Sequence, residues 1–279
     1  MPELVDTTAI SSGACGIVYK ARSEDGSDVA VKVVHSDFAF VESTAFERVR
    51  EYQSAGRLHP RKNGSVMGAR FSQTDNRDSK TLFVMDHHPG ETMLSLIARY
   101  PQGLSEEQAR PLVEGMLDCV ELVHQAGIVH LDLKAEHFII GPQLDLVLVD
   151  FGAAFLYSEN NCSRRNGLTT MNRSHYGTLT YSAPETFKRQ CCPASDMWSI
   201  GVLTYALLTG SSPWPQDGTQ AKYIETANFD RTHKRWHEIS VSGRQFVESL
   251  LRVDSGERMS FAECRSHDFL YRPCASTKV

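Results

Sequence analysis

Val129-His130-Leu131-Asp132-Leu133-Lys134-Ala135-Glu136-His137-Phe138, followed by Leu148-Val149-Asp150-Phe151-Gly152, is the stretch that decides the fold of this chain. It gathers Asp132, Lys134 and His137 within a few positions of one another and sets Asp150 a short way downstream. The protein around it is ordinary in size and make-up: 279 residues, 41% hydrophobic, with 29 Lys+Arg against 34 Asp+Glu. A chain of this length buries a full core without metal or disulfide staples. At about 150 residues per domain, length alone suggests two units.

A net charge of -5 and a pI near 6.1 argue against a basic nucleic-acid-binding domain. Spanning a membrane takes about 20 mostly apolar residues. The best run here, Trp198 to Leu208, is shorter and contains Ser199, Gly201 and Thr204, so it is expected to be a buried helix. Met1-Pro2-Glu3-Leu4-Val5-Asp6 has neither the basic start nor the apolar stretch of a signal peptide. Seven cysteines lie scattered with no C-x-x-C pair, which indicates neither a zinc site nor a disulfide framework. Adjacent Cys191 and Cys192 are expected to pack locally.

Upstream, Gly16-Ile17-Val18-Tyr19-Lys20 and Val29-Ala30-Val31-Lys32-Val33-Val34 flank the turn-forming Glu24-Asp25-Gly26-Ser27 and predict an antiparallel hairpin. One helix is expected over 41–56, and further strands at 66–71 and 81–85. From Leu104 onward the pattern turns helical, with helices expected at 105–126, 195–209, 240–252 and 259–267. Asp86-His87-His88-Pro89-Gly90 marks the joint between the sheet-rich and helical parts. The polar stretch from Leu156 to His175, carrying Arg164, Arg165 and Arg173, is too long for a passive connection and points to a functional loop.

Ser11-Ser12-Gly13-Ala14-Cys15-Gly16-Ile17-Val18 sets small residues between two strands, where backbone amides can approach phosphate oxygens. By itself this is equally an ordinary hairpin turn. Alternation along the next strand puts Ala30 and Lys32 on one face, so a small residue able to admit a flat ring lies beside an ammonium able to reach phosphates. Together the two features favour nucleotide binding over a surface lysine.

The stretch quoted at the outset resembles the catalytic domain of eukaryotic-type serine/threonine protein kinases, matching H-R-D-L-K-x-x-N and D-F-G with substitutions. The likeness continues through Gly177-Thr178-Leu179-Thr180-Tyr181-Ser182-Ala183-Pro184-Glu185 and Asp196-Met197-Trp198-Ser199-Ile200-Gly201-Val202. It ends with Arg258 and His267-Asp268-Phe269, so it covers about residues 10–270. It implies an α+β fold of two lobes: an antiparallel N-lobe sheet with one main helix over 9–86, a hinge at 87–90 and a mostly α-helical C-lobe over 91–272. The activation segment would run over 150–185, and the whole of 1–279 would be one kinase domain in place of the two units suggested by length.

By the same resemblance, Asp132 accepts or orients the substrate hydroxyl proton, Lys134 neutralises the transferred phosphoryl group and Asp150 holds magnesium. Thr178 would bond to the Asp132 and Lys134 pair, and a Lys at 134 favours Ser/Thr over Tyr acceptors. Lys32 needs a helix-borne carboxylate, followed four positions on by an apolar residue. Glu47 is followed at that distance by charged Glu51, and Glu51 by Ala55, so Glu51 is the expected partner. Gly13 and Gly16 would shape the phosphate loop, while Val18, Ala30 and Ile139 would sandwich the purine. Met85 would guard the back of the pocket, and Asp86 and His88 would offer backbone groups to adenine. Adjacent histidines on an extended segment point opposite ways, so His87 and His88 are not a metal pair. Glu185 and Arg258 would form a buried ion pair bracing the C-lobe.

Three positions depart from the family pattern. Ser11 replaces the first loop glycine. Leu131 replaces the Arg that would receive a phosphorylated activation loop, so phosphates at Ser163, Thr169, Thr170 or Ser174 would lack that cation. His137 stands where an Asn would coordinate a second magnesium, and imidazole prefers softer ions. ATP and magnesium are therefore expected, with manganese as an alternative ion. The activity implied is phosphoryl transfer to Ser/Thr hydroxyls of a protein substrate, slowed by His137. The rival reading is a pseudokinase serving as a scaffold or allosteric partner. No nucleic-acid partner and no membrane span are expected. The thiol-compatible cysteines suggest the cytoplasm, with a secreted effector left open.

Overall fold

The structure is a computed structural model that describes residues 5–13, 16–55, 64–75, 78–157, 168–171 and 177–271. Strands β1 (Val5–Gly13), β2 (Gly16–Arg22) and β3 (Asp28–His35) pair antiparallel in sequence. The Glu24 to Ser27 turn closes as expected, with Ser23 N–H donating to the Ser27 carbonyl at 2.9 Å. β3 then passes without a connecting segment into helix α1 (Ser36–Ser54), which His35 caps through its side chain. Helix α1 therefore begins five residues earlier than the sequence suggests, and this matters at the site.

The strand expected at 66–71 is two strands. β4 (Gly64–Val66) leaves the first sheet and pairs parallel with β10 (Leu146–Leu148). It is seated on the long helix α3 (Glu106–Gln125), where a Cβ at Gly64 would lie 2.5 Å from the Gly115 carbonyl oxygen. After Met67 and Gly68, β5 (Ala69–Asp75) and β6 (Lys80–Asp86) return to the first sheet, whose order is β1-β2-β3-β6-β5. Burial switches sides along β3: Val29 and Val31 pack with Ala21 and Val84, while Ala30 and Val34 face the main core with Met85. That two-residue period is what a sheet covered on one face by a helix requires.

Beyond residues 87–90, β7 (Glu91–Thr92) leads into α2 (Met93–Arg99) and then α3 (Glu106–Gln125). Ser105 and Gln108 cap α3 reciprocally, and its apolar residues Leu112, Val113, Met116, Leu117 and Val120 are buried. β8 (Ile128–Val129), β9 (Phe138–Ile140) and β10 follow, then β11 (Phe155–Leu156), which pairs with β8. β12 (Thr169–Thr170) pairs with β13 (Gln190–Cys191). The remaining helices are α4 (Pro193–Thr209), α5 (Gln220–Glu225), α6 (Lys234–Glu238), α7 (Val241–Leu250) and α8 (Phe261–Ser266). α4 contains the run Trp198 to Leu208 and is buried on all sides, as expected of a central helix. The short helices α2, α5 and α6 add to the expected set.

The result is the two-lobed arrangement that the resemblance implied, an antiparallel sheet with one helix set on a mostly helical part. One core runs through both. Phe46 of α1 meets Phe83 of β6 and Phe151 edge-on at 5.4 and 5.7 Å between ring centroids, and Phe151 reaches His130 at 5.3 Å. Below, Glu185 and Arg258 form the expected buried ion pair, bidentate at 2.7 and 2.6 Å, with Arg258 also donating to the Ala194 and Arg252 carbonyls. The described cysteines, Cys119, Cys191, Cys192 and Cys264, are buried free thiols. Among the described residues no helix is long and apolar enough to cross a membrane.

Candidate active site

Two clusters of charge face each other where the sheet meets the helical part. In the first, Lys32 Nζ donates to Glu42 Oε1 and Oε2 at 2.7 and 2.8 Å and to Asp150 Oδ1 at 2.9 Å. Glu42 is the partner of Lys32, and the expectation of Glu51 is corrected. Because α1 starts at Ser36, Glu42 lies on its second turn, on the face turned toward β3, and only 1% of it is exposed. Glu51 is exposed near the far end of the helix, as is Glu47. The apolar residue four positions beyond Glu42 is Phe46, the ring that contacts Phe151.

Burial alone would lower the pKa of Lys32, but the Glu42 and Asp150 carboxylates outweigh it and leave the ammonium more firmly protonated than usual. Glu42 is shifted upward because burial penalises its charge more than Lys32 relieves it. Burial also opposes the charge on Asp150. There the opposing pull of Lys32, His137 and the Gly152 N–H prevails, so its carboxyl stays well below the ordinary range and is ionised. Asp150 adopts φ 70°, and its Oδ1 accepts the Gly152 N–H at 2.9 Å. A non-glycine residue in the left-handed region costs on the order of 1–3 kcal/mol and persists where its surroundings over-determine it.

The second cluster centres on Asp132. Its Oδ1 accepts the Thr178 N–H at 2.7 Å and the Thr178 hydroxyl at 3.2 Å, while Lys134 Nζ lies 3.1 Å from Oδ2. Gly177, at φ 92°, makes this approach available, because a Cβ there would collide with the Leu131 carbonyl and lie 3.1 Å from Asp132 Oδ1. Leu131 is itself left-handed at φ 63°. Asp196 holds the turn, accepting the His130 and Leu131 N–H groups at 2.8 and 2.9 Å and His124 Nε2 at 2.7 Å. Sequence reasoning gave Asp196 no role, although a carboxylate within an otherwise apolar helix is a signal that a buried donor needs it. The Leu131 side chain packs with Val129, Met171 and Cys191, so the position of the absent Arg is filled by an apolar contact to the β12 region. Of the candidate modification sites, Ser163 and Ser174 lie outside the described residues.

His137 joins the two clusters. Its Nδ1 lies 2.9 Å from the Asp132 carbonyl oxygen, and its Nε2 lies 3.8 Å from Asp150 Oδ2. Two carboxylates nearby would favour an imidazolium, but burial dominates and pushes the pKa down to about 4, so the ring is neutral near pH 7. The Asp132 carbonyl can only accept, which puts the single ring proton on Nδ1 and leaves the Nε2 lone pair toward Asp150. Asp150 is a hard oxygen donor of the kind magnesium takes, and His137 adds a softer nitrogen beside it. Among the described residues no group of three or more His, Cys, Asp or Glu forms a closed metal cage. These residues fit an ion that shares its coordination with a ligand's oxygens.

Above the charged groups, Val18, Ala30 and Met85 stand on the adjacent strands β2, β3 and β6, and Val18 and Ile139 are each partly buried against the main core. Met85 is buried at the register position opposite Ala30. The Asp86 side chain turns outward to Arg70, 2.6 Å from its Nε, which leaves only the backbone of Asp86 to face inward. His88 is half-buried between β6 and β7. Gly13 and Gly16 are register partners at the β1–β2 tip, and residues 14 and 15 lie outside the described set.

A family model described as the protein kinase domain matches residues 4–270. Curated proteins show the same likeness. The chain is 29% identical over 271 residues to serine/threonine-protein kinase dkf-2 of Caenorhabditis briggsae, covering 92% of this chain and 21% of that protein. It is 27% identical over 254 residues to CBL-interacting serine/threonine-protein kinase 16 of Arabidopsis thaliana, covering 89% and 52%. It is 30% identical over 196 residues to human serine/threonine-protein kinase H1, covering 68% and 44%. The chain thus spans between about a fifth and about half of the length of these relatives.

Proposed function

The chain belongs to the protein kinase family, and from that premise we propose that it is an ATP-dependent protein kinase acting on serine and threonine hydroxyls. What carries this is the convergence of Lys32, Glu42 and Asp150 with Asp132, Lys134 and Thr178 at one cleft. Family membership and the kinases named among its relatives support it.

In this account ATP lies with its purine between Val18 and Ala30 above and Ile139 below. Met85 closes the back of the pocket, and the backbone of Asp86 and His88 meets the adenine edge. Gly13 and Gly16 let the β1–β2 tip approach the phosphates. Lys32, held by Glu42, reaches the phosphate oxygens. Asp150 with His137 would hold magnesium or manganese, which supplies positive charge to the phosphate oxygens when bound. Asp132 accepts the proton of the substrate hydroxyl as that oxygen attacks the γ-phosphorus. The bond from the γ-phosphorus to the bridging oxygen breaks, and ADP leaves with the electron pair. Lys134 neutralises charge on the moving phosphoryl group, and Thr178 fixes the Asp132 carboxylate that takes the proton. Residues 9–86 and 91–272 act as the two lobes about a hinge at 87–90.

The experiment is transfer of labelled γ-phosphate from ATP to a generic protein acceptor, with Asp150→Asn as the control. Transfer by the wild type and its loss in the variant is the expected result. A wild-type chain that binds nucleotide without transferring phosphate would make it a pseudokinase.

A further inference from the structure

Arg48 lies on α1 beyond Glu42, on a face that meets the helical part of the molecule. Its Nη1 donates to the Gly127 carbonyl at 2.6 Å and to the Tyr157 carbonyl at 2.8 Å. These acceptors are distant in sequence. Gly127 is in the turn between α3 and β8, and Tyr157 immediately follows β11, the strand downstream of Asp150-Phe151-Gly152. The Gly127 carbonyl also accepts the Tyr157 N–H at 3.0 Å, and the Tyr157 hydroxyl donates to the His124 carbonyl at 2.6 Å. The two carbonyls therefore stand side by side only while β11 is paired with β8.

Gly127 makes room for the guanidinium. It adopts φ 74°, and a Cβ there would lie 3.0 Å from both Arg48 Nη1 and the Tyr157 carbonyl oxygen. A charged donor shared by two carbonyls holds more strongly than neutral hydrogen bonds do. We propose that Arg48 is a positioning residue that fastens α1, and with it the Glu42 carboxylate on Lys32, to the root of the segment that carries Asp150. If β11 leaves β8, Arg48 loses its paired acceptors and α1 loses its tether. If α1 swings out, the same carbonyls lose their donor, so the coupling is reciprocal. The clamp thus makes the Lys32–Glu42–Asp150 cluster conditional on an ordered β8–β11 pair. Its effect on catalysis rests on the kinase reading of the cleft.

The test compares the full chain with Arg48→Met, Arg48→Lys, Glu42→Gln and the Arg48→Met/Glu42→Gln double variant. It reads kcat and KM for ATP with a generic protein acceptor, and amide exchange over residues 36–54 and 155–157. Coupling between sites is usually about 5- to 150-fold, and Arg48→Met is expected to lower kcat/KM about tenfold. Arg48→Lys keeps a cation and recovers part of that loss. Because Arg48 acts through Glu42, the double variant should fall no more than about twofold below Glu42→Gln alone. Wild-type kcat/KM in Arg48→Met, or losses that multiply in the double variant, would overturn the proposal. The exchange measurement does not depend on catalysis: faster exchange in both segments of Arg48→Met supports the clamp, and unchanged protection refutes it. A chain that transfers no phosphate yet loosens in this way would contradict the kinase assignment and leave the clamp standing.

Discussion

Replacing Glu42 by Gln keeps the volume of the side chain and removes its charge from a pair that is almost wholly buried, with side-chain exposures of 3% for Lys32 and 2% for Glu42. Breaking a buried ion pair from one side costs about 3–5 kcal/mol, because the other charge is left uncompensated. Here Asp150 still lies 2.9 Å from Lys32 Nζ, which places the loss near the lower end, at about 3 kcal/mol. In a chain of 279 residues that lowers the melting temperature by roughly 5 °C. The catalytic cost is separate. Without Glu42 nothing holds the ammonium on the α1 side, and loss of one preorganised electrostatic contact lowers turnover about 10²- to 10³-fold. Thermal unfolding and steady-state phosphate transfer are measured on Glu42→Gln and on Glu51→Gln. The Glu51 variant, altered at an exposed position, should stay within about 0.5 kcal/mol of wild type and retain its turnover. Equal losses in the two variants, or full turnover in Glu42→Gln, would refute the assignment of the lysine's partner.

Arg258→Leu strands the Glu185 carboxylate, which the guanidinium now meets at 2.7 and 2.6 Å. It should cost about 3 kcal/mol or more, and an unchanged melting temperature would contradict this. His137→Asn places an amide N–H where Nδ1 now meets the Asp132 carbonyl and presents an oxygen in place of the Nε2 lone pair. Turnover in magnesium should rise, and a variant no faster than wild type refutes the softer-ligand account of His137. Acid should weaken the fold through the same residue. Its pKa drops from 6.5 to about 4 on folding, so between those values the unfolded chain binds a proton that the folded chain does not, and stability falls as pH falls. The full drop is worth about 3 kcal/mol at the acid end. Burial lowers His130 as well, with the same sign, so His137→Asn should flatten only part of the slope of urea midpoints between pH 7 and 4.5.

The residues legible in the sequence were those whose roles are set by short spacing. Asp132, Lys134 and His137 share one turn and its flanks, Asp150 is fixed by Phe151-Gly152, and Thr178 stands one residue from Gly177. The fold brings all of these to one place. The partner of Lys32 is a long-range relation that spacing alone does not give. A helix beginning at 41 would leave Glu42 at its very end, whereas the helix begins at Ser36 and sets Glu42 on its second turn. The missing signal was present, because Phe46 stands four positions beyond Glu42 and meets the apolar requirement better than Ala55 does. β4 was obscure for a different reason: Val66 reads as a strand either way, and only packing against α3 and β10 decides which sheet receives it. Arg48 and Asp196 act on backbone groups from other elements, and no spacing rule connects them. The short helices α2, α5 and α6 are too brief to show a period.

In the proposed reaction Asp132 takes the proton of a serine or threonine hydroxyl while phosphate moves from ATP. Phosphoamino-acid analysis of an acceptor protein labelled by wild type and by Asp132→Asn reads that step. Phosphoserine and phosphothreonine from the wild type, with both nearly abolished in the variant, is the expected result. Label on tyrosine alone, or label appearing at the wild-type rate in Asp132→Asn, would contradict it.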